Sequence, residues 1–273
     1  MSKPHGRLRV GILGVGAIGR ALATALDRGR PGAVLVGIAD QDHAPAEKFA
    51  AGLTHSVPIL SVDELLQRSD LVVEAASQAA LPEIVPKAIS HGKDLLVLSV
   101  GGLLGHDDWL RQAAERGCRI HVPSGAIAGL DGLKSARAGR LDSVTLTSRK
   151  PIAALRGARY VVEQGMDLEK FQDDTVIFEG TPEEACRNFP ATSNVAASLR
   201  LTAGPKANIR VRVVVTPSGK ENVHEITAEG EFGRLRVVIE NVPSAANPRT
   251  SALAALSALA TLDGITGSFR IGT

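Results

Sequence analysis

The run Gly14-Val15-Gly16-Ala17-Ile18-Gly19 follows directly on the strand-like segment "LRVGIL" and opens the helical pattern "AIGRALATALDRG". Glycines at this spacing carry information only between a strand and a helix, and both flanks are present here. Each glycine answers a separate steric demand. The first permits a tight turn, the second lets a phosphate-bearing ligand approach the backbone, and the third lets helix and strand pack closely. Unpaired N–H groups at the helix start add about half a positive charge. The motif predicts a βαβ unit that holds a dinucleotide through Gly14, Gly16, Ala17, Ile18 and Gly19. Asp40 ends the next apolar run, 21 residues after Gly19. A carboxylate there accepts hydrogen bonds from a ribose and repels an added 2′-phosphate, so NAD is expected ahead of NADP, with Arg20 able to soften the preference.

The rhythm of the first half extends this unit. "LRVGIL", "AVLVGIAD", "DLVVEAA", "DLLVLSV" and "CRIHVP" are continuous apolar runs, as strands buried on both faces require. Helical patterns alternate with them, most ending in glycine. Alternating β and α predicts a Rossmann-type, doubly wound parallel sheet. Its carboxyl-end loops, counted as following a fourth, fifth and sixth strand, are rich in small residues: 74–80, 99–105 and 122–129. Ala76, Ser77, Ser124, Gly125, Ala126 and Ala128 are candidate cofactor contacts from these loops, which could equally be ordinary tight turns. Residues 124–128 are favoured because they fall where two domains join, a place ligands prefer.

After a linking helix placed in "VPSGAIAGLDGLKSARAG", the period changes to two. "LDSVTLTSRK", "DTVIFEG", "NIRVRVVVTP", "NVHEITAEG" and "RLRVVIENVP" predict a second, α+β domain with a mostly antiparallel sheet. Two helices interrupt it, one opened by the capping box Thr181-Pro-Glu-Glu184 and one running through "NVAASLRLTAG". A last helix, capped at Thr250/Ser251, repeats leucine at 253, 256, 259 and 262 and is expected to bury that stripe on the first domain. The domains are accordingly 1–125 joined by 246–273, and 126–245.

Composition narrows the function classes. With 31 basic and 29 acidic residues and a net charge of +2, the chain offers no electrostatic footprint for nucleic acid or an anionic membrane. Cys118 and Cys186 are far apart in no metal-like spacing, so no metal or disulfide framework is expected, and a reducing cytoplasm fits. No apolar run reaches the roughly 20 residues of a membrane span. The partner expected is a small molecule.

In "NVHEITAEG", Asn222, His224, Ile226 and Ala228 share one face of a strand. His224 there is either a packed core residue or a catalytic acid/base with an ordinary pKa of about 6.5. The second reading is favoured because a glycine-loop domain supplies mainly backbone contacts, leaving the proton chemistry to the other half. Polar groups in "TSRKP", "FPATSNVAA" and "NVPSAANPRTS" have no obvious folding duty. Lys150 and Arg249 are either solvated charges or grips for a small dicarboxylate, and Asn194 is either a helix cap or a ligand contact.

These segments, with "SGAIAGLDGL", occur in an order that resembles the L-aspartate dehydrogenases over nearly the whole chain. The resemblance implies NAD(P)-dependent oxidation of L-aspartate to iminosuccinate, which hydrolyses to oxaloacetate and ammonia or feeds NAD biosynthesis. It also implies catalytic His224, cofactor contacts at Ala128 and Asn194, and a homodimer paired through the second domain's sheet. Candidate substrate contacts are Lys150, Asn194, His224, Asn247, Arg249, Thr250 and Ser251. "TPSGKENVHEI" departs from the resemblance by lacking an acidic-proline turn before the asparagine. The alternatives are a related two-domain imine or carbonyl reductase of the dihydrodipicolinate reductase type, whose paired histidines and "PSGT" are missing, a sugar dehydrogenase, and a non-catalytic NAD sensor.

Overall fold

The computed structural model describes residues 6–190, 193–244 and 247–273, the side chains at 243 and 247–250 excepted. The chain divides into two compact units, Met1–Pro123 with Ala255–Arg270, and Ser124–Ala254 with Ile271–Thr273.

The first unit alternates β1 (Leu8–Leu13), α1 (Ala17–Asp27), β2 (Ala33–Ala39), α2 (His43–Ala50), α3 (Val62–Arg68), β3 (Leu71–Glu74), α4 (Leu81–Ser90), β4 (Asp94–Val97), α5 (Asp107–Glu115) and β5 (Ile120–His121). The strands form one parallel sheet in the order β2-β1-β3-β4-β5. The sequence reading counted one strand more. Its place beside β2 is taken by a single parallel bridge between Ile38 and Ile59, because "HSVPIL" has only a short extended run before Ser61 caps α3. The strands are buried on both faces, with Val10, Ile12, Leu71, Val73 and Leu96 inaccessible, so the backbone polar groups of the centre can only be satisfied by the ladder. The order reverses between β1 and β3, which places the crevice for a ligand beyond their carboxyl ends.

The second unit contains α6 (Leu130–Ala136), β6 (Leu141–Lys150), α7 (Ile152–Leu155), α8 (Arg159–Glu163), β7 (Thr175–Gly180), α9 (Pro182–Asn188), α10 (Asn194–Ala203), β8 (Ile209–Val215), β9 (Asn222–Gly230), β10 (Gly233–Asn241), β11 (Pro243–Ser244) and β12 (Asn247–Ser251). Five of these strands form a sheet ordered β10-β9-β6-β8-β7, antiparallel except for β6 against β8. The linking helix is only α6, because Gly125 and Gly129 take positive φ and interrupt helical geometry before Leu130. Thr181 caps α9 through the predicted capping box. Along β9 the predicted face is buried, and on β6 Val144, Leu146, Ser148 and Lys150 alternate inward beside it. A core of Leu146, Phe178, Phe189, Leu199, Val211 and Ile226 covers this face.

The last helix, α11 (Ala252–Thr266), begins after β12, and its residues divide between the units at Ala255 rather than at 246. Ala258 and Leu262 join the first unit's core with Leu22 and Val73. The leucine stripe does not bury as one line: Leu256 is 58% exposed. A three-residue repeat drifts by about 60° per step around a helix of 3.6 residues per turn, so it cannot keep one face.

Candidate active site

Gly14 adopts φ +98°, and a Cβ there would lie 2.5 Å from the Ala75 carbonyl oxygen. A Cβ on Gly19 would overlap the Gly14 carbonyl oxygen. Gly16 differs, since nothing comes nearer to its missing Cβ than 3.9 Å. It therefore leaves open backbone at the start of α1, the cradle a pyrophosphate needs. A cavity of about 380 Å³ adjoins it, and Gly14, Gly16, Asp40, Ala76 and Ser77 are among its lining residues. Ala17, Ile18 and Gly19 form the first turn of α1 behind it. The residues present fit a dinucleotide.

Two acidic groups hold this end of the sheet together. Asp40 accepts from the Val15 N–H at 2.7 Å and from the Asp42 N–H at 2.9 Å, so it braces the glycine loop as well as facing the cavity. Glu74, wholly buried at the end of β3, accepts from the Ala76 N–H (2.9 Å), the Ser99 N–H (3.0 Å) and the Ser99 hydroxyl (2.8 Å). Burial pushes its pKa up against the pull of those donors. Glu74 was not singled out from the sequence, although a lone carboxylate closing the apolar run "DLVVEAA" is the signal that marks it.

In the second unit His224 is 3% exposed, and its Nδ1 lies 2.9 Å from Ser148 Oγ, its cross-strand neighbour. An Nδ1–H donated to Ser148 leaves Nε2 as the nitrogen able to take a proton. Burial, and then the positive charge of Lys150, lower the His224 pKa to about 3. That corrects the expectation of an ordinary value, since an imidazole with so low a pKa is neutral throughout the physiological range. Lys150 is also no solvated charge. It is 4% exposed, and burial lowers its pKa to about 8. None of the hydrogen bonds or ion pairs among the described residues engages its ammonium group.

Other candidates divide between the units. Ser124, Gly125, Ala126 and Ala128 all belong to the second unit, with His224. Asn241 ties this loop to the sheet by donating Nδ2–H to the Ala126 carbonyl at 2.9 Å. The Asn241 Oδ1 accepts from the Ser251 hydroxyl at 2.5 Å, and Ser251 in turn accepts from the Leu253 N–H. The Ser251 donor is thus spent on the fold. Asn194 is the first residue of α10 rather than its cap, the N-cap position being Ser193. Asn247, Arg249 and Thr250 lie on β12, but their side chains fall outside the described residues. Asn241 opens the polar stretch "NVPSAANPRTS", but nothing in the sequence singles it out within that stretch, because asparagine at a strand end looks like a turn former. Among the described residues no cluster of histidine, cysteine and carboxylate groups could hold a metal ion, and no helix is long and apolar enough to cross a membrane.

Comparison with known proteins finds matches in both halves of the chain. A family model for the carboxyl-terminal part of aspartate dehydrogenase matches residues 131–265, and one for the NAD-binding domain of homoserine dehydrogenase matches 14–123. An L-aspartate dehydrogenase of Methanocella arvoryzae is 46% identical over 97% of this chain and 99% of its own length. One from Methanosarcina acetivorans is 46% identical over 97% of this chain and all of its own. Among solved structures, an aspartate dehydrogenase from Thermotoga maritima shares the fold, with a TM-score of 0.73 at 24% identity over 97% of this chain and all of that one. The glycine loop, the second-unit sheet and relatives this similar along nearly the whole length lead to one conclusion: the chain belongs to the L-aspartate dehydrogenase family, a nicotinamide-dependent oxidoreductase.

Proposed function

We propose that the chain oxidises L-aspartate to iminosuccinate, which hydrolyses to oxaloacetate and ammonia, with His224 as the acid/base. The observation that carries this reading is a buried ammonium, Lys150, with no anion bonded to it among the described residues and a neutral imidazole as its electrostatic neighbour. A buried cation without a counter-charge costs several kcal/mol, a cost that a substrate carboxylate offsets. The bound nicotinamide supplies the acceptor for the hydrogen and electron pair leaving Cα. Lys150 holds a carboxylate and in doing so removes one of the two causes that depress the His224 pKa. His224 Nε2 then accepts a proton from the water that adds to the imine carbon, while Ser148 keeps the ring in the required tautomer.

On the cofactor side, Gly14, Gly16, Ala17, Ile18, Gly19, Ala76 and Ser77 hold the dinucleotide, and Asp40 favours NAD over NADP. Ser124, Gly125, Ala126, Ala128 and Asn194 complete the contacts, and Asn247, Arg249 and Thr250 serve the second carboxylate, with Ser251 holding their strand through Asn241. We further read the enzyme as a cytoplasmic homodimer whose product can enter NAD biosynthesis. The test is the initial rate of NADH formation with L-aspartate, compared with other amino acids and sugars, for wild type and His224→Ala. The variant should lose about 10² to 10⁴ in turnover, roughly 3 to 5 kcal/mol of transition-state stabilisation, with NADH binding unchanged. Undiminished turnover would remove His224 from the mechanism.

A further inference from the structure

The end of the second sheet that carries Lys150 holds, among the described residues, one more polar atom without a partner. Asn222 is 3% exposed, and its Oδ1 is buried with no hydrogen bond. Asn222 and Lys150 come next beyond the cross-strand pair of Val223 and Arg149, on the face that carries His224 and Ser148. Native proteins seldom leave buried polar side chains unsatisfied, and two such groups side by side mark a place that another molecule completes. The patch combines a cationic donor, Lys150, with an uncharged acceptor, Asn222. A dicarboxylate alone would use only the first, whereas an amino acid presents a carboxylate and an N–H donor a few ångströms apart.

We propose that Asn222 is the residue that distinguishes an amino acid from its deaminated analogues, its Oδ1 accepting an N–H of the α-amine while Lys150 holds a carboxylate. The inference deepens the reading of this site as the L-aspartate site and rests on it. An acceptor fixed on the amine also sets the nitrogen's orientation as Cα is oxidised, so Asn222 acts on both affinity and specificity.

The experiment measures equilibrium binding of two probes, L-aspartate and succinate, to wild type, Asn222→Ala and Lys150→Met in the presence of NADH. Succinate has both carboxylates and no amine. Asn222→Ala should weaken L-aspartate by about 10- to 100-fold, the range for a hydrogen bond to a charged group, and leave succinate within about twofold. Lys150→Met should weaken both probes alike. Should Asn222→Ala fold poorly, Asn222→Val, an apolar residue nearer asparagine in size and without an oxygen acceptor, replaces it with the same expectation. Equal losses for both probes in the Asn222 variants, or no loss for either, would overturn the role of Asn222 while leaving the site itself in place. Wild type that binds neither probe would overturn the substrate reading and this assignment together.

Discussion

Replacing Lys150 by Met should stabilise the folded protein while disabling the substrate site proposed above. The ammonium of Lys150 falls from an ordinary pKa of 10.5 to about 8 on burial. The folded state therefore resists protonating it, and the unfolded chain binds the extra proton more readily, so stability rises with pH between about 8 and 10.5. Below pH 8 the cost is fully present. At 1.36 kcal/mol per decade it amounts to about 3 kcal/mol at pH 7, and the same two pKa values leave about 1 kcal/mol at pH 9.5. Methionine matches the length of the lysine stem without its charge, and volume-conserving swaps in a core cost less than about 1.5 kcal/mol. His224 adds nothing to the difference at these pH values, since it is neutral with or without Lys150. Urea unfolding should be followed through Tyr160, the chain's single tyrosine, which packs against the second unit's core, because the single tryptophan, Trp109, reports the first unit. The variant's midpoint should move up at pH 7, by less at pH 9.5, with the denaturant slope unchanged. A variant no more stable than wild type at pH 7, or a gap that does not shrink with pH, would refute the claim that this cation is buried without a counter-charge.

Two further expectations follow from the same geometry. The acidic limb of the pH profile of kcat should lie above the pKa of about 3 that burial and then Lys150 set for His224, because a carboxylate on Lys150 would cancel the smaller of those two causes; a limb at or below 3 would count against a carboxylate bound on Lys150. Asp40→Ser should narrow the gap in KM between NAD and NADP by removing the charge that repels a 2′-phosphate, and it should also lower stability by about 1 kcal/mol, since the Val15 and Asp42 N–H groups lose an acceptor. Thermal unfolding with initial rates for both cofactors checks both halves of that expectation, and an unchanged cofactor ratio would assign Asp40 to bracing alone.

Local rules made much of the chain legible. The glycine loop is set by sterics within a few residues, and the structure repeats it in the overlaps that Gly14 and Gly19 would suffer with any side chain. Period-two alternation likewise placed Asn222, His224, Ile226 and Ala228 on one buried face. The same local rules misled where geometry is cumulative: the leucine stripe of α11 drifts around the helix and leaves Leu256 exposed.

What tertiary structure alone decided is electrostatic. Lys150 lies in a charged, strand-ending segment that reads as solvated, and His224 reads as an ordinary imidazole. Their placement on one face of the paired strands β6 and β9, with Ser148 bonded to His224 over 76 positions of sequence, buries both and shifts both pKa values. Burial of a charge depends on what distant strands bring over it, and no spacing along the chain encodes that. Asn241 and Glu74 belong to the same category, since their importance lies in which remote backbone groups they satisfy. The residue types and their facing were written in the sequence; that Lys150 has no counter-ion among the described residues, the feature on which its proposed role rests, exists only once the sheet is assembled.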